Sequence, residues 1–270
     1  MSAFFIVPDF IILVFIALVF VPNTVYADCG TGTKQYDEVA TVLRVVDGDT
    51  VVLTDKRKVR FIGINAPELA HYPKKAEPFA LSAKRFVLSS LSSNKKVKLK
   101  HGVQKKDRYG RLLAHVFLND GRNLNAMLLK KGLASAIVVP PNSRFSHCYF
   151  YLEQRARKNS NIKNIWSHKF FQHKEAQKLD KLMTGFRFIK GKVKRIGRSR
   201  DSIWLQLAPK LTIRVRRKDF KYFPMVALEN LTFEKIKNKT VYIRGWVYKW
   251  KNDLYIQLRH PRMINEEIFK

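Results

Sequence analysis

Residues 45–68 read VVDGDTVVLTDKRKVRFIGINAPE. Two runs rich in β-branched side chains, Thr50 to Thr54 and Lys58 to Ile64, flank the polar triplet Asp55-Lys56-Arg57. A third run, Glu38 to Val46, precedes Asp47-Gly48. Asp-Gly and short polar clusters between such runs are turn signals, so the stretch predicts three consecutive antiparallel strands. Downstream, Phe79, Ala83, Phe86, Val87, Ser90 and Leu91 recur at helical spacing, which predicts a helix with one apolar face. Lys96 to Lys100 and Leu112 to Leu118 predict strands four and five. Asn123 to Lys131 predicts a short helix stopped at Gly132, and Ser146 to Lys158 a last one. Three strands, a helix, two strands and two helices fit a five-stranded OB-type Greek-key barrel with flanking helices, a β-rich α+β fold.

Residues 169–185 are polar and helix-prone and read as a linker. Beyond them the period returns to two, in Ile203, Leu205, Leu207, in Leu211, Ile213, Val215, and in a hairpin of Val241 to Tyr248 with Leu254 to Arg259. Residues 186–270 therefore predict a smaller, mainly-β C-terminal domain, with an OB-like barrel as one form of it. No residue-level repeat links the halves. One face of the hairpin carries Tyr242, Arg244, Trp246, Tyr248, Trp250 and Tyr255. Aromatics interleaved with arginine suit stacking of unpaired bases, and packing against the first domain is the plainer alternative.

The amino terminus reads as an address. Phe10 to Val21 is an unbroken apolar run, short for a membrane span of about 20 residues and suited to a signal peptide. Residues 1–27 are expected to be removed after Ala27, leaving an exported chain, periplasmic or secreted, with no stable membrane insertion. An uncleaved anchor is the alternative. In an oxidising compartment the two cysteines, Cys29 and Cys148, suggest one disulfide.

The 270-residue chain holds 52 Lys and Arg against 21 Asp and Glu, a formal +31. With 46% hydrophobic residues it can build a core, which excludes disorder along most of its length. The positive charge falls equally on the two halves, so a single basic tail does not explain it. A surface this basic repels itself unless its partner is a polyanion, DNA or RNA first and anionic lipid second. No obligate protein partner is evident in the sequence.

Among so many cations the acids are informative by position. Asp47 and Asp49 bracket a turn glycine, and Glu68 follows Asn65-Ala66-Pro67. Such oxygen-rich turns suit a hard divalent cation, while Asp-Gly-Asp alone can be a plain hairpin turn. Arg60 lies on the strand leading to Asn65, and Arg111 closes the turn Asp107-Arg108-Tyr109-Gly110. The planar arginine fork matches two phosphate oxygens and can neutralise charge that builds in a transition state. Metal, carboxylate base and two arginines are the components of phosphodiester hydrolysis.

At these residues the chain resembles the staphylococcal nuclease (thermonuclease) family, here an exported nuclease with an extra C-terminal β domain. The matching segments are VVDGDTVVL at 45–53, VRFIGINAPE at 59–68, YPKK at 72–75, DRYGR at 107–111 and NIW at 164–166, and the resemblance spans residues 37–168. It implies the barrel-plus-helices fold and calcium-dependent cleavage of DNA and RNA that leaves 3′-phosphate ends. It implies calcium ligands at Asp49, Asn65 and the Ala66 carbonyl, a general base or water-orienting group at Glu68, and phosphate-binding arginines at Arg60 and Arg111. Arg108 and Tyr109 fall where members of the family hold the terminal phosphate. The family's usual second calcium aspartate is here Asn65, whose amide oxygen can ligate without a formal charge. Residues 134–141 have no tyrosine where the staphylococcal enzyme stacks the base. A catalytically silent nucleic-acid binder on the same fold is the competing function.

Overall fold

The computed structural model describes residues 29–30, 35–73, 75–91, 95–180, 183–223 and 231–265. The expected signal peptide, residues 1–27, lies outside them. Strands β1 (Glu38–Val45), β2 (Thr50–Leu53), β3 (Lys58–Phe61) and β4 (Ile64–Asn65) are followed by helix α1 (Ala80–Ser90). Strands β5 (Lys96–Lys106) and β6 (Leu112–Leu118), helix α2 (Leu124–Lys130), strand β7 (Ser135–Ala136) and helix α3 (Ser146–Lys158) complete the first body. Its barrel closes in the order β1-β2-β3-β6-β5. Closure works because β1 bends. Glu38 to Thr41 pair with β5, and Val42 to Val45 pair with β2. Val51, Val59, Val97, Leu99 and Val116 fill the interior with no exposed surface.

Two expectations shift locally. The strand expected over 58–64 breaks at Gly63, whose φ is +80°. A Cβ there would meet the Tyr149 ring at 2.6 Å, so only glycine admits this left-handed turn. The break sends β4 away from the barrel to pair with β7, which carries Asn65 out to the rim. Strand β5 outlasts its predicted end because Gln104 exchanges backbone hydrogen bonds with the Asn142 side chain, at 2.9 Å each way.

The second body comprises β8 (Lys174–Glu175), β9 (Gly185–Lys192), β10 (Arg195–Arg198), β11 (Ser202–Ala208), β12 (Leu211–Arg216), α4 (Leu231–Glu234), β13 (Thr240–Trp250) and β14 (Asp253–Gln257). Its sheet runs β10-β11-β12-β14-β13-β9-β8. Only Val193 and Lys194 separate β9 from β10, and they keep bonding across the gap, to Lys239 and Gln206. Taken as one bent strand, β9–β10 pairs with β13 by its first part and β11 by its second. The ring then has the order and the parallel third-to-last pair of the first barrel, here β12 with β14 and there β3 with β6. The OB-like alternative for this half thus describes its topology.

Of residues 169–185, expected as a linker, the described parts, 169–180 and 183–185, are built into the protein. Phe171 packs with Trp166 and Phe188, Ala176 enters the second core, and β8 pairs in parallel with β9. The polar composition hid this because few apolar side chains suffice to anchor so short a segment.

The two bodies meet at α3. Glu153, 2% exposed, accepts from Arg157 Nε at 2.7 Å, from Arg244 Nη1 at 2.7 Å to both oxygens, and from the Ala136 N–H at 2.6 Å. Burial pushes its carboxyl up, but Arg244 and Arg157 outweigh burial and hold it below the usual carboxylate range. Nearby, Arg259 donates to the Pro140 carbonyl at 2.8 Å and Ile137 joins the second core.

Cys29 and Cys148 form a disulfide over a separation of 119 residues. In the chain-entropy model a loop this long restrains the unfolded state by about 4–5 kcal/mol. Cys148→Ser should therefore lower the unfolding free energy in urea by up to about that amount. Removing Arg244 leaves a buried carboxylate short of a partner, which typically costs about 3–5 kcal/mol. Arg244→Ala should show that loss in the same titration.

Candidate active site

The site lies at the rim of the first barrel, where β3, the β4 turn and the β5–β6 hairpin come together. Gly48 sets its floor. A Cβ at this position would meet the Ala83 and Ala66 Cβ atoms at 2.6 and 2.7 Å, so glycine lets α1 and the Ala66 turn close over the Asp47–Asp49 turn. The Asp47 carboxylate accepts the Asp49 N–H at 2.9 Å, an Asx turn that fixes the Asp49 backbone.

Asp49 is 3% exposed. Its Oδ2 accepts the Ala66 N–H at 2.6 Å and pairs with Arg60 at 3.1 Å, and its Oδ1 accepts from the Thr50 hydroxyl at 3.1 Å. Burial pushes its carboxyl up to about 7 against the pull of Arg60, and the charges of Asp47 and Glu68 add to the rise. Arg60 donates to the Phe61 and Ile64 carbonyls at 2.7 and 2.9 Å and to Asn65 Oδ1 at 3.2 Å. One guanidinium thus gathers Asp49 and Asn65. Arg60 is a fixed charge, committed to four acceptors, not an arm free to swing.

Glu68 is exposed, and its carboxylate has no hydrogen-bond or ion-pair partner among the described residues. Its backbone is tied at both ends to Glu77. Arg111 is held from behind. Its Nε donates to Asp107 at 2.7 Å and its N–H to the same carboxylate at 3.0 Å. Burial acts against the Asp107 charge, but Arg111 and two backbone N–H groups hold the carboxyl below its ordinary range. Tyr109 stands between arginines, with Arg108 4.7 Å and Arg111 5.5 Å from its ring centroid.

Arg60, Asn65, Glu68, Arg108, Tyr109 and Arg111 line one cavity of about 1200 Å³. Asp49 and Ala66 lie just beneath it, buried behind Arg60. All the site residues expected in the first domain are therefore together. Those expected in the second domain divide. Trp246 and Tyr248 line the same cavity. Arg244 does not, because Glu153 and the Ala136 carbonyl hold it in the seam between the bodies. Tyr242 sits by His173, with ring centroids 5.1 Å apart, and is absent from the cavity. A strand rises about 3.3 Å per residue, so Tyr242 and Trp250 share a face yet reach different surroundings.

Asp107 was not singled out by sequence reasoning, although its four-residue offset from Arg111 signals it. Trp204 of the opposite wall was also missed. Its only sequence signal is alternation with buried Ile203 and Leu205. The matched NIW segment is structural: Asn164 caps Trp166 at 2.9 Å and bonds the Ala156 carbonyl at the end of α3.

A family model described as staphylococcal nuclease homologue matches residues 58–168. A thermonuclease of Staphylococcus intermedius is 38% identical over 142 residues, 50% of this chain and 80% of that protein. A thermonuclease of Staphylococcus hyicus is 36% identical over 135 residues, 48% of this chain and 77% of that protein. Endonuclease YhcR of Bacillus subtilis is 33% identical over 133 residues, 46% of this chain and 11% of that protein.

Proposed function

The chain belongs to the staphylococcal nuclease family and is a nuclease of the micrococcal type, and from that membership we propose an exported, divalent-metal-dependent endonuclease that cuts DNA or RNA and leaves 3′-phosphate ends. One observation carries the reading. The Glu68 carboxylate, without a partner among the described residues, and the braced Arg111 share a cavity with the Arg60–Asn65 cluster that covers Asp49. Export is supported by the disulfide and the apolar run at residues 10–21.

Each group has a role in this reading. Glu68 takes the proton of the attacking water as its oxygen bonds to phosphorus. The P–O5′ bond breaks, the phosphate stays on the 3′ side, and the O5′ leaving group takes a proton from solvent. Arg111, held by Asp107, offers its terminal nitrogens to the phosphate oxygens. Arg60 contributes positive charge from a fixed place, and Arg108 with Tyr109 binds the neighbouring phosphate.

The donor set fits a hard cation. Asp49 Oδ2 and Asn65 Oδ1 already converge on one positive group, the Arg60 guanidinium, at 3.1 and 3.2 Å. Asp49, Asn65 and the Ala66 carbonyl would hold the ion, calcium by the family pattern. All are oxygens, and oxygen ligands suit calcium. With one carboxylate in the set, the charge available to the ion is low. Among the described residues no group of three or more His, Cys, Asp or Glu stands together, so this set rests on an amide and a backbone carbonyl beside the one carboxylate. A bound divalent ion would supply electrostatic stabilisation of phosphate charge.

Two experiments test the reading. Loss of one electrostatic donor typically slows turnover about 10²–10³-fold. Arg111→Ala and Glu68→Gln should each show a loss of about that size in oligonucleotide cleavage; wild-type rates in either variant would mean that the site is misplaced. Cleavage should also stop with chelator and return with calcium. Asn65→Asp adds a ligand charge, so half-activation should fall to a lower calcium concentration. An unchanged calcium dependence would remove Asn65 from the ligand set.

A further inference from the structure

The cavity has a second wall made by the C-terminal barrel. Outward residues of β11, β12, β13 and β14 alternate with buried ones, and the outward set on this side is mostly aromatic or basic, with Thr212 and Gln257 as neutral polar members. Tyr255 is its hub. Register places it beside Tyr248 on β13 and Thr212 on β12. Its ring stacks on Tyr248 at 5.9 Å and meets Trp250 and Trp204 edge-on at 5.9 and 6.1 Å. Arg214 lies over Trp204, 4.8 Å from the ring centroid.

Tyr255 and Trp204 are half-buried, and the rings beside them keep more open surface. Trp246 is 42% exposed, Tyr248 39% and Trp250 58%, whereas the inward residues Val247, Leu254 and Ile256 are buried. Arg216 also lines the cavity, and its buried Nε has no hydrogen-bond partner among the described residues. Seven Lys or Arg side chains line the cavity, against two carboxylates, Glu68 and Asp107. Its volume of about 1200 Å³ exceeds the roughly 300–1,000 Å³ of small-ligand pockets, so it has room for a chain of nucleotides. Within a duplex each base other than those at the ends already has neighbours on both faces. Exposed rings therefore take chiefly unpaired bases.

We propose that the face centred on Tyr255, with Trp204, Tyr248 and Trp250, stacks the unpaired bases of a single-stranded nucleic acid whose scissile phosphate lies at Glu68 and Arg111. The second barrel is then a wall of the substrate cleft, and it selects single strands or frayed duplex ends. The position of the scissile phosphate rests on the catalytic reading above; the stacking face does not. Residues 134–141, which lack a tyrosine, present Ile137, Val138 and Val139 to the same cavity, so the rings that contact bases come from the other body.

The test uses the full chain with Glu68→Gln and chelator, so that the probe stays intact. Fluorescence anisotropy follows binding of an oligothymidylate of about 12 nucleotides, within the roughly 4–16 tracked by an OB-type groove, and of a blunt duplex of the same length. Trp250→Leu and Tyr255→Leu should each weaken single-strand binding about tenfold or more. Duplex binding should shift much less, and Trp250→Phe should recover most of the loss. Equal weakening of both probes, or unchanged single-strand affinity in a folded variant, would overturn the proposal. Should Tyr255→Leu fail to fold, Trp250→Leu decides, because that ring is mostly exposed. Turnover of a dinucleotide by the unaltered protein is measured alongside. No turnover, with single-strand binding still dependent on the rings, would overturn the catalytic assignment and keep the stacking face.

Discussion

The Glu153 carboxylate, buried where the two barrels meet, is the constraint on which the shared cleft depends. It belongs to α3 of the first body and is met by Arg244 from β13 of the second. A buried ion pair gains little net stability over an apolar contact of the same shape, because desolvation offsets most of the attraction. Its value here is directional. Two oxygens accept from Arg244, and further hydrogen bonds come from Arg157 and the Ala136 N–H, a geometry that a sliding interface could not keep. The Ala136 N–H and carbonyl both join the network. The segment that pairs with β4 is thereby tied to β13, and β4 carries Asn65. The orientation of the second barrel and the placement of a site residue are one mechanical problem with one solution.

The two barrels use the same strand order on sequences that show no repeat. The common requirement is a first strand that serves two partners. In the first barrel β1 bends without a break, with a register irregularity between Val42 and Arg44. In the second, the same bend falls at Val193–Lys194 and divides the strand into β9 and β10. Alternation of small and branched apolar residues inside, and polar or aromatic residues outside, satisfies both rings. The outside is therefore free to differ. In the first body it carries acids at a turn; in the second it carries rings.

The sequence made the strands, the helices and the catalytic candidates visible for separate reasons. Periodicity marked the elements, since each buries one face. Charge marked the site, since Asp49 and Glu68 are exceptions in a basic chain and Arg60 sits five residues before Asn65. What stayed hidden depends on tertiary placement. Arg244 occupies the same strand face as Trp246 and Tyr248, and alternation alone cannot say that one end of that face is sealed against α3. Asp107 reads as a turn residue, and only the hairpin geometry turns it into the brace for Arg111. Trp204 and Arg216 lie far along the chain from Glu68, and only the seam at Glu153 brings them to the same cavity. Gly63 could be read as an interruption in a strand, yet the Tyr149 ring that requires it comes from α3.

The distribution of charge then has a physical sense. A polyanion is drawn to a basic surface from any direction, but attraction at every point would hold a strand without aligning it. Alignment needs places where the field is different. Arg60, committed to Asp49, Asn65 and two backbone carbonyls, is a cation whose charge is partly spent within the protein. Arg111, braced through Nε, points the remainder of its fork outward. Glu68 is an anion among cations, with no partner among the described residues, so it repels phosphate oxygens while it can accept a proton from water. Opposite these three, the rings around Tyr255 offer stacking area, with Arg214 and Arg216 beside them. In the proposed complex a strand would have its scissile phosphate at one wall and its bases stacked on the other, an orientation that neither body could impose alone.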